Sequence, residues 1–186
     1  MSELNKTKES KKKRVLLHVC CAPCAVHPIE DLINEYDVSL FYSNSNIYPK
    51  EEYDKRLSFA KKIADEFDVD LFVDSYNHNE WLEWIKGLEN EPEKGDRCKK
   101  CFEFNLKKAA NFAKNNDFDF FTTTLTVSPH KSSKTIFEIG EATEIFLTRD
   151  FKKKDGFKRS IELSKKFNLY RQNYCGCEFS RNGLME

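Results

Sequence analysis

No stretch of the chain approaches the ~18 consecutive apolar residues that a membrane-crossing helix needs. The longest apolar runs, such as residues 15–17 (VLL), are strand-sized, and mean hydropathy is −0.69. The start MSELNKTKESKKKR is polar and holds no apolar core of signal-peptide length, so it is not read as a secretory signal. Glycine is scarce, with six in 186 residues, and none stands in the loop after the first expected strand. A nucleotide-dependent enzyme on an α/β fold needs a Gly/Ser-rich loop there to cradle phosphate. Its absence argues against ATP use. There is no internal repeat and no low-complexity linker, so the expectation is a single α/β domain over 14–186, preceded by a basic, flexible arm over 1–13.

Charge of one sign is also lacking, since 31 Lys/Arg balance 31 Asp/Glu. The distribution is uneven. Residues 1–14 carry six basic and two acidic side chains, residues 149–171 carry nine and three, and residues 15–148 carry 15 and 24. An acidic body with basic ends can turn a positive face toward a polyanion, although such runs are often only solvated helix faces.

What the chain does have is cysteine. Seven cysteines without an export signal are expected as reduced thiols in the cytoplasm. They fall in three groups: Cys20, Cys21 and Cys24; Cys98 and Cys101; Cys175 and Cys177. Cysteines used only as small core hydrophobes scatter along a chain.

Periodicity predicts strands at 15–19, 38–42, 69–73 and 118–125. It predicts helices at 25–36, 51–67, 79–87, 98–115, 133–145 (broken near Gly140) and 160–167, with a loop at 171–177. Alternating strands and helices imply an open, mostly parallel, Rossmann-like sheet with flanking helices. Ligands of such sheets bind beyond the carboxyl ends of the strands. The cysteine group at 20–24 and the loops at 43–48 and 122–131 should therefore meet at one rim, making a cysteine-lined metal site.

Three chemistries fit these thiols. Cys21 and Cys24 match a thioredoxin-like redox pair, but that leaves five cysteines unused. Cys21, Cys24, Cys98 and Cys101 match a structural zinc set, with three left over. An iron–sulfur cluster needs four thiolates and leaves three for a second metal, which uses every group.

The segments HVCCAPC (18–24), GDRCKKC (95–101), TTTLTVSPHK (122–131), DFKKKDGFKRSIELSKK (150–166) and LYRQNYCGC (169–177) together resemble the QueH family, the cobalamin-independent epoxyqueuosine reductases. The resemblance spans about residues 14–180. It implies a fold like the adenine nucleotide alpha hydrolases, a 4Fe–4S cluster with an adjacent iron, and reduction of epoxyqueuosine to queuosine at the wobble position of tRNA, the last step of queuosine biosynthesis. The electron donor stays unidentified. Under this reading all seven cysteines are metal ligands, with Cys20, Cys21, Cys98 and Cys101 named for the cluster, although spacing alone does not assign them. Asp96, His130 and Tyr174 are candidate catalytic residues. Asp96 could complete a second metal site or be a solvated loop residue, and His130 could meet phosphate or donate a proton. His18 and His27 read as structural. Arg149, Lys153, Lys154, Arg159, Tyr170 and Arg171 are candidate tRNA contacts, because charge and aromatic stacking hold single-stranded RNA. A wobble base reaching a buried metal is expected to flip outward. The alternatives are a nucleotide-dependent sulfur-transfer enzyme acting on tRNA, and a tRNA-binding module with structural zinc.

Overall fold

The computed structural model describes residues 11–181. The first ten residues of the expected basic arm lie outside them. Four parallel strands form one sheet: β1 (Arg14–His18), β2 (Asp37–Tyr42), β3 (Leu71–Val73) and β4 (Phe120–Thr123), ordered β3-β2-β1-β4. The helices are α1 (Ala22–Leu32), α2 (Lys50–Phe67), α3 (His78–Trp84), α4 (Asp96–Asn115), α5 (Ser133–Glu141), α6 (Gly156–Lys166) and the short α7 (Glu178–Arg181). A 3-10 turn, Thr124–Val127, follows β4. No helix among the described residues is long and apolar enough to cross a membrane.

Alternation along the strands divides the core. Val15 and Leu17 of β1 and Leu40 and Tyr42 of β2 pack with α1, α2 and Leu163 of α6. Leu16 and Phe41 point the other way and pack with Leu106, Ala109 and Ala113 of α4 and Ile136 of α5. Helices thus cover both faces, as an all-parallel sheet requires. From β1 the chain winds one way to β2 and β3, and it later crosses to β4 on the opposite side. The order therefore reverses between β1 and β4. At such a reversal the two following loops diverge and leave a crevice. Here those loops are the cysteine segment after β1 and the 3-10 turn after β4.

Several boundaries differ from expectation. α1 begins three residues earlier, because Pro23 at its start loses no hydrogen bond; this puts Cys24 in the first turn. It ends at Leu32 rather than continuing to Tyr36. β4 is shorter than its β-rich run. Thr123 Oγ1 accepts from the Leu125 amide and Thr124 Oγ1 from the Cys20 amide, so threonine hydroxyls turn the chain away from the ladder. α5 stops at Glu141, and the following segment pairs with Phe121 at the sheet edge.

α6 begins at Gly156, four residues before the expected start. This glycine lies where α6 meets α1: a Cβ there would sit 1.9 Å from the Phe151 carbonyl oxygen and 2.7 Å from His27 Nε2. The backbone oxygen cannot rotate aside, so Gly156→Ala is expected to distort the turn that leads into α6 and to press on His27 of α1. Overpacking of this kind costs about 1–3 kcal/mol or more. A fall in Tm of roughly 2–12 °C follows for a chain of this size, and a thermal melt of the purified variant measures it.

Candidate metal centre

The thiols of Cys20, Cys21 and Cys24 all lie within 4.8 Å of one another, and the Cys20 and Cys21 sulfurs are 3.9 Å apart. β1 ends at His18, and α1 starts at Ala22, so this short connection wraps the three sulfurs around one point. His18 anchors it. Its Nδ1 meets Thr123 Oγ1 at 2.9 Å and its Nε2 meets the Ser43 carbonyl at 3.1 Å. With both nitrogens used and the ring fully buried, His18 is a structural histidine.

The remaining four cysteines come from distant parts of the chain. Cys98 and Cys101 lie in the first turns of α4, one turn apart. Cys175 and Cys177 lie on the loop before α7. Burial pushes the Cys101 thiol well above its usual range, and the charges of Cys175 and Cys177 add to that. Burial, then Cys175, likewise raises Cys98, whose sulfur also accepts from the Lys94 amide at 3.2 Å. The same two causes raise Cys177. These four thiols therefore share one electrostatic environment, yet among the described residues only the trio at 20–24 brings three sulfurs within 4.8 Å.

In the trio, hydrogen bonds from Cys21 and then Cys24 favour the Cys20 thiolate, and its pKa falls well below the ordinary value. Cys21 is pushed up to about 11, chiefly by its hydrogen bond to Cys20, and Cys24 is raised for the same first reason. Thr124 Oγ1 donates to the Cys20 sulfur at 3.3 Å.

Two cations face these sulfurs, and neither was singled out in the sequence. Arg56 of α2 is 2% exposed. Its Nε donates to Glu52 Oε1 at 2.7 Å and its Nη1 to the Cys175 carbonyl at 2.9 Å. Burial opposes its charge, but the nearby Cys21 thiol and Glu52 outweigh burial and hold it protonated. Lys131 follows the 3-10 turn. Burial opposes its charge too, and Cys175, Cys20, Cys24 and Cys21 together outweigh it. Lys131 is thus the cation common to both thiol groups. A signal for Arg56 was present: Glu52, Arg56, Ala60 and Ile63 follow helical spacing, so the ion pair lies on the buried stripe of α2. Lys131 carried no such signal, because its direction depends on how a loop folds.

Two further groups surround Cys101. Asn105, one turn along α4, directs its amide nitrogen at the sulfur from 3.6 Å and at Asn46 Oδ1 from 3.2 Å. The buried Trp81 indole N–H has no oxygen or nitrogen partner and lies beside this thiol.

The other residues named from the sequence are scattered. The Asp96 carboxylate is exposed and pairs with Lys99 at 2.7 Å. His130 is exposed, with its amide bound to Ser128 Oγ, while its neighbour Lys131 is half-buried. Tyr174 packs its ring against the Arg56 guanidinium, 5.2 Å from the ring centroid. Tyr170 donates to Glu52 at 3.1 Å, and the Lys55 ammonium sits over its ring. Arg149 pairs with Glu35 and Arg159 with Glu30, which ties both to α1 and its C-terminal end. Lys153 and Lys154 are exposed, and Arg171 reaches Ser164 Oγ at 3.4 Å. His27 packs at the start of α6.

Comparison with known proteins agrees with this architecture. The chain is similar to a solved structure of the U34-tRNA thiolase NcsA from Methanococcus maripaludis with its 4Fe–4S cluster. The TM-score is 0.52 at 10% identity, covering 93% of this chain and 63% of that one, a likeness of fold. Epoxyqueuosine reductase QueH of Streptococcus pyogenes serotype M1 is 40% identical over 184 residues, covering 93% of this chain and 72% of the relative. The QueH of Thermotoga maritima is 34% identical over 174 residues, covering 89% of each. The family model for epoxyqueuosine reductase QueH matches residues 15–183, and the chain belongs to that family.

Proposed function

We propose that this epoxyqueuosine reductase works through a 4Fe–4S cluster on Cys98, Cys101, Cys175 and Cys177 and a single metal ion, iron by preference, on Cys20, Cys21 and Cys24. The spacing of the trio carries this division. Two thiolates about 2.3 Å from one ion at a tetrahedral angle stand about 3.8 Å apart. The 3.9 Å between the Cys20 and Cys21 sulfurs fits that. Thiolates on separate irons of a cubane stand farther apart, which suits the other four. Three thiolates also leave a coordination position open, as catalytic metal sites do. This division differs from the cluster set named under the family resemblance, Cys20, Cys21, Cys98 and Cys101, which takes two sulfurs from the trio and two from α4.

Removing an epoxide oxygen to leave an alkene consumes two electrons and two protons and releases water. When bound, the cluster supplies one-electron steps, and the ion supplies a Lewis acid for the epoxide oxygen. The chain's own contribution is electrostatic and geometric. Arg56 and Lys131 offset the charge of up to seven thiolates. The Arg56 bond to the Cys175 carbonyl fixes the loop that carries the last cysteine pair, and Asn105 aims a donor at the Cys101 sulfur, with the Trp81 indole beside it. Without metal, hydrogen bonding to Cys20 favours the thiol form of Cys21 and Cys24, and burial favours it at Cys98, Cys101 and Cys177, so loading the centre releases protons.

The substrate is tRNA bearing epoxyqueuosine, and Lys153, Lys154, Tyr170 and Arg171 remain proposed contacts with it. Arg149 and Arg159 are less available, being paired. An external donor supplies the electrons, and the cytoplasm is the proposed compartment. Residues 14–186 act as one catalytic domain. Residues 1–13 form the proposed basic arm, and its described end is bonded to the domain: Lys12 Nζ donates to the Ile33 carbonyl, and the Lys13 carbonyl accepts from the Asp37 amide at the start of β2.

Metal and sulfide analysis of protein purified without oxygen tests the reading. About five irons and four acid-labile sulfides per chain, with turnover on epoxyqueuosine tRNA, are expected. One zinc without sulfide, in protein that iron and sulfide cannot reconstitute, would instead leave a structural-zinc module.

A further inference from the structure

Tyr48 is one of three large apolar side chains left exposed among the described residues, with 44% of its surface open. It stands on the loop after β2, on the cysteine rim. Its amide donates to the Gly176 carbonyl at 2.9 Å, so it is joined to the backbone between Cys175 and Cys177. The ring is held in place. It stacks on His78 with centroids 5.0 Å apart and planes 25° apart, and His78 stacks on buried Trp81 at 5.4 Å and 24°. His78 is pinned at both nitrogens, by the Ser45 carbonyl at 2.8 Å and by Glu178 Oε2 at 3.0 Å. Three stacked rings thus run from solvent at Tyr48 to Trp81 beside Cys101.

We infer that the open surface of Tyr48 is a stacking platform for a nucleobase of the tRNA substrate, one that neighbours the nucleotide entering the thiol basin. The inference rests on the proposed tRNA reduction. Every base has a π-face, so stacking binds single-stranded RNA whatever its sequence, and a ring already fixed by its neighbours loses little freedom on binding. Other anchored aromatic residues of this rim, Tyr42 and Tyr53, are buried and cannot serve. A nucleotide turned outward for chemistry loses its own stacking partners, and an exposed ring beside the basin replaces one of them.

The test compares Tyr48→Ala, Tyr48→Phe and Tyr48→Trp as metal-loaded enzymes prepared without oxygen. Binding of an anticodon stem-loop RNA is read by fluorescence anisotropy, and turnover on the epoxyqueuosine-bearing stem-loop is read with a chemical reductant. Tyr48→Ala is expected to weaken binding and raise KM about 5- to 100-fold, with kcat, iron and sulfide held near wild type. Phe and Trp should restore binding. Wild-type affinity in Tyr48→Ala would overturn the platform while leaving the reductase reading intact. If Tyr48→Ala slowed turnover only with a protein electron donor, the ring would be a donor contact and the platform would fail. Loss of iron or sulfide from Tyr48→Ala would reveal a structural role instead. Wild-type enzyme that neither binds nor reduces the RNA would overturn both readings, a result separable from the first because it appears before any substitution.

Discussion

Cys101→Ala is expected to remove the acid-labile sulfide and the visible absorption together, and to take activity to background. Cys21→Ala should also lose activity, but keep about four sulfides and give up roughly one iron. The contrast follows from sulfur spacing. Cys101 belongs to the four cysteines that share a field without crowding, and Cys21 lies in the trio packed within 4.8 Å. A cubane missing one of four thiolates is exposed at one iron. A single ion missing one of three loses affinity without disturbing its neighbour. Iron and sulfide measured side by side on the two variants decide the matter. Complete sulfide loss from Cys21→Ala would refute the division and return the cluster to a set spanning both groups.

Arg56→Met should have the next largest effect, and it separates two roles of one side chain. The Arg56–Glu52 pair is nearly buried, with side-chain exposures of 2% and 10%. Removing one partner of a buried pair leaves the other charge unmatched and costs about 3–5 kcal/mol. At about 2–4 °C per kcal/mol for a chain of this length, Tm should fall roughly 6–20 °C. Adding Glu52→Gln removes the orphaned carboxylate and should recover much of that loss. It cannot replace the bond to the Cys175 carbonyl, so the double variant should melt near wild type yet hold iron poorly. A double variant that regained full iron and turnover would show that Arg56 serves stability alone. The same loop is constrained from the other side. Gly176 has φ +125°, a region closed to most L side chains, and a Cβ there would stand 2.8 Å from Arg56 Nη1. The Cys-Gly-Cys spacing is therefore a requirement of the backbone and of the arginine beneath it.

Much of the architecture was legible in the residues because it is local. Strand and helix periods placed all four strands and six of the seven helices. The expected rim was also correct, since a parallel α/β chain brings its post-strand loops to one side. The shorter β4 was not legible, because TTTL has strand propensity and only the hydroxyl bonds to Leu125 and Cys20 divert it. Neither was α7, whose four residues carry no periodicity.

The residues themselves determined that the thiols occur in three groups, that the loop after β1 lacks a phosphate cradle, and that the chain alternates strand and helix. Only the tertiary structure decided how the groups combine. Cys98 and Cys101 sit more than 70 residues from Cys175 and Cys177, and no local rule joins them. The sheet order reverses between β1 and β4, and the packing of α4 and the last loop brings Cys98, Cys101, Cys175 and Cys177 close enough for their charges to act on one another. The same packing buries Arg56, half-buries Lys131 and leaves His130 and Asp96 in solvent. Those choices depend on which neighbours exclude water and offer opposite charge, and such neighbours come from everywhere in the chain.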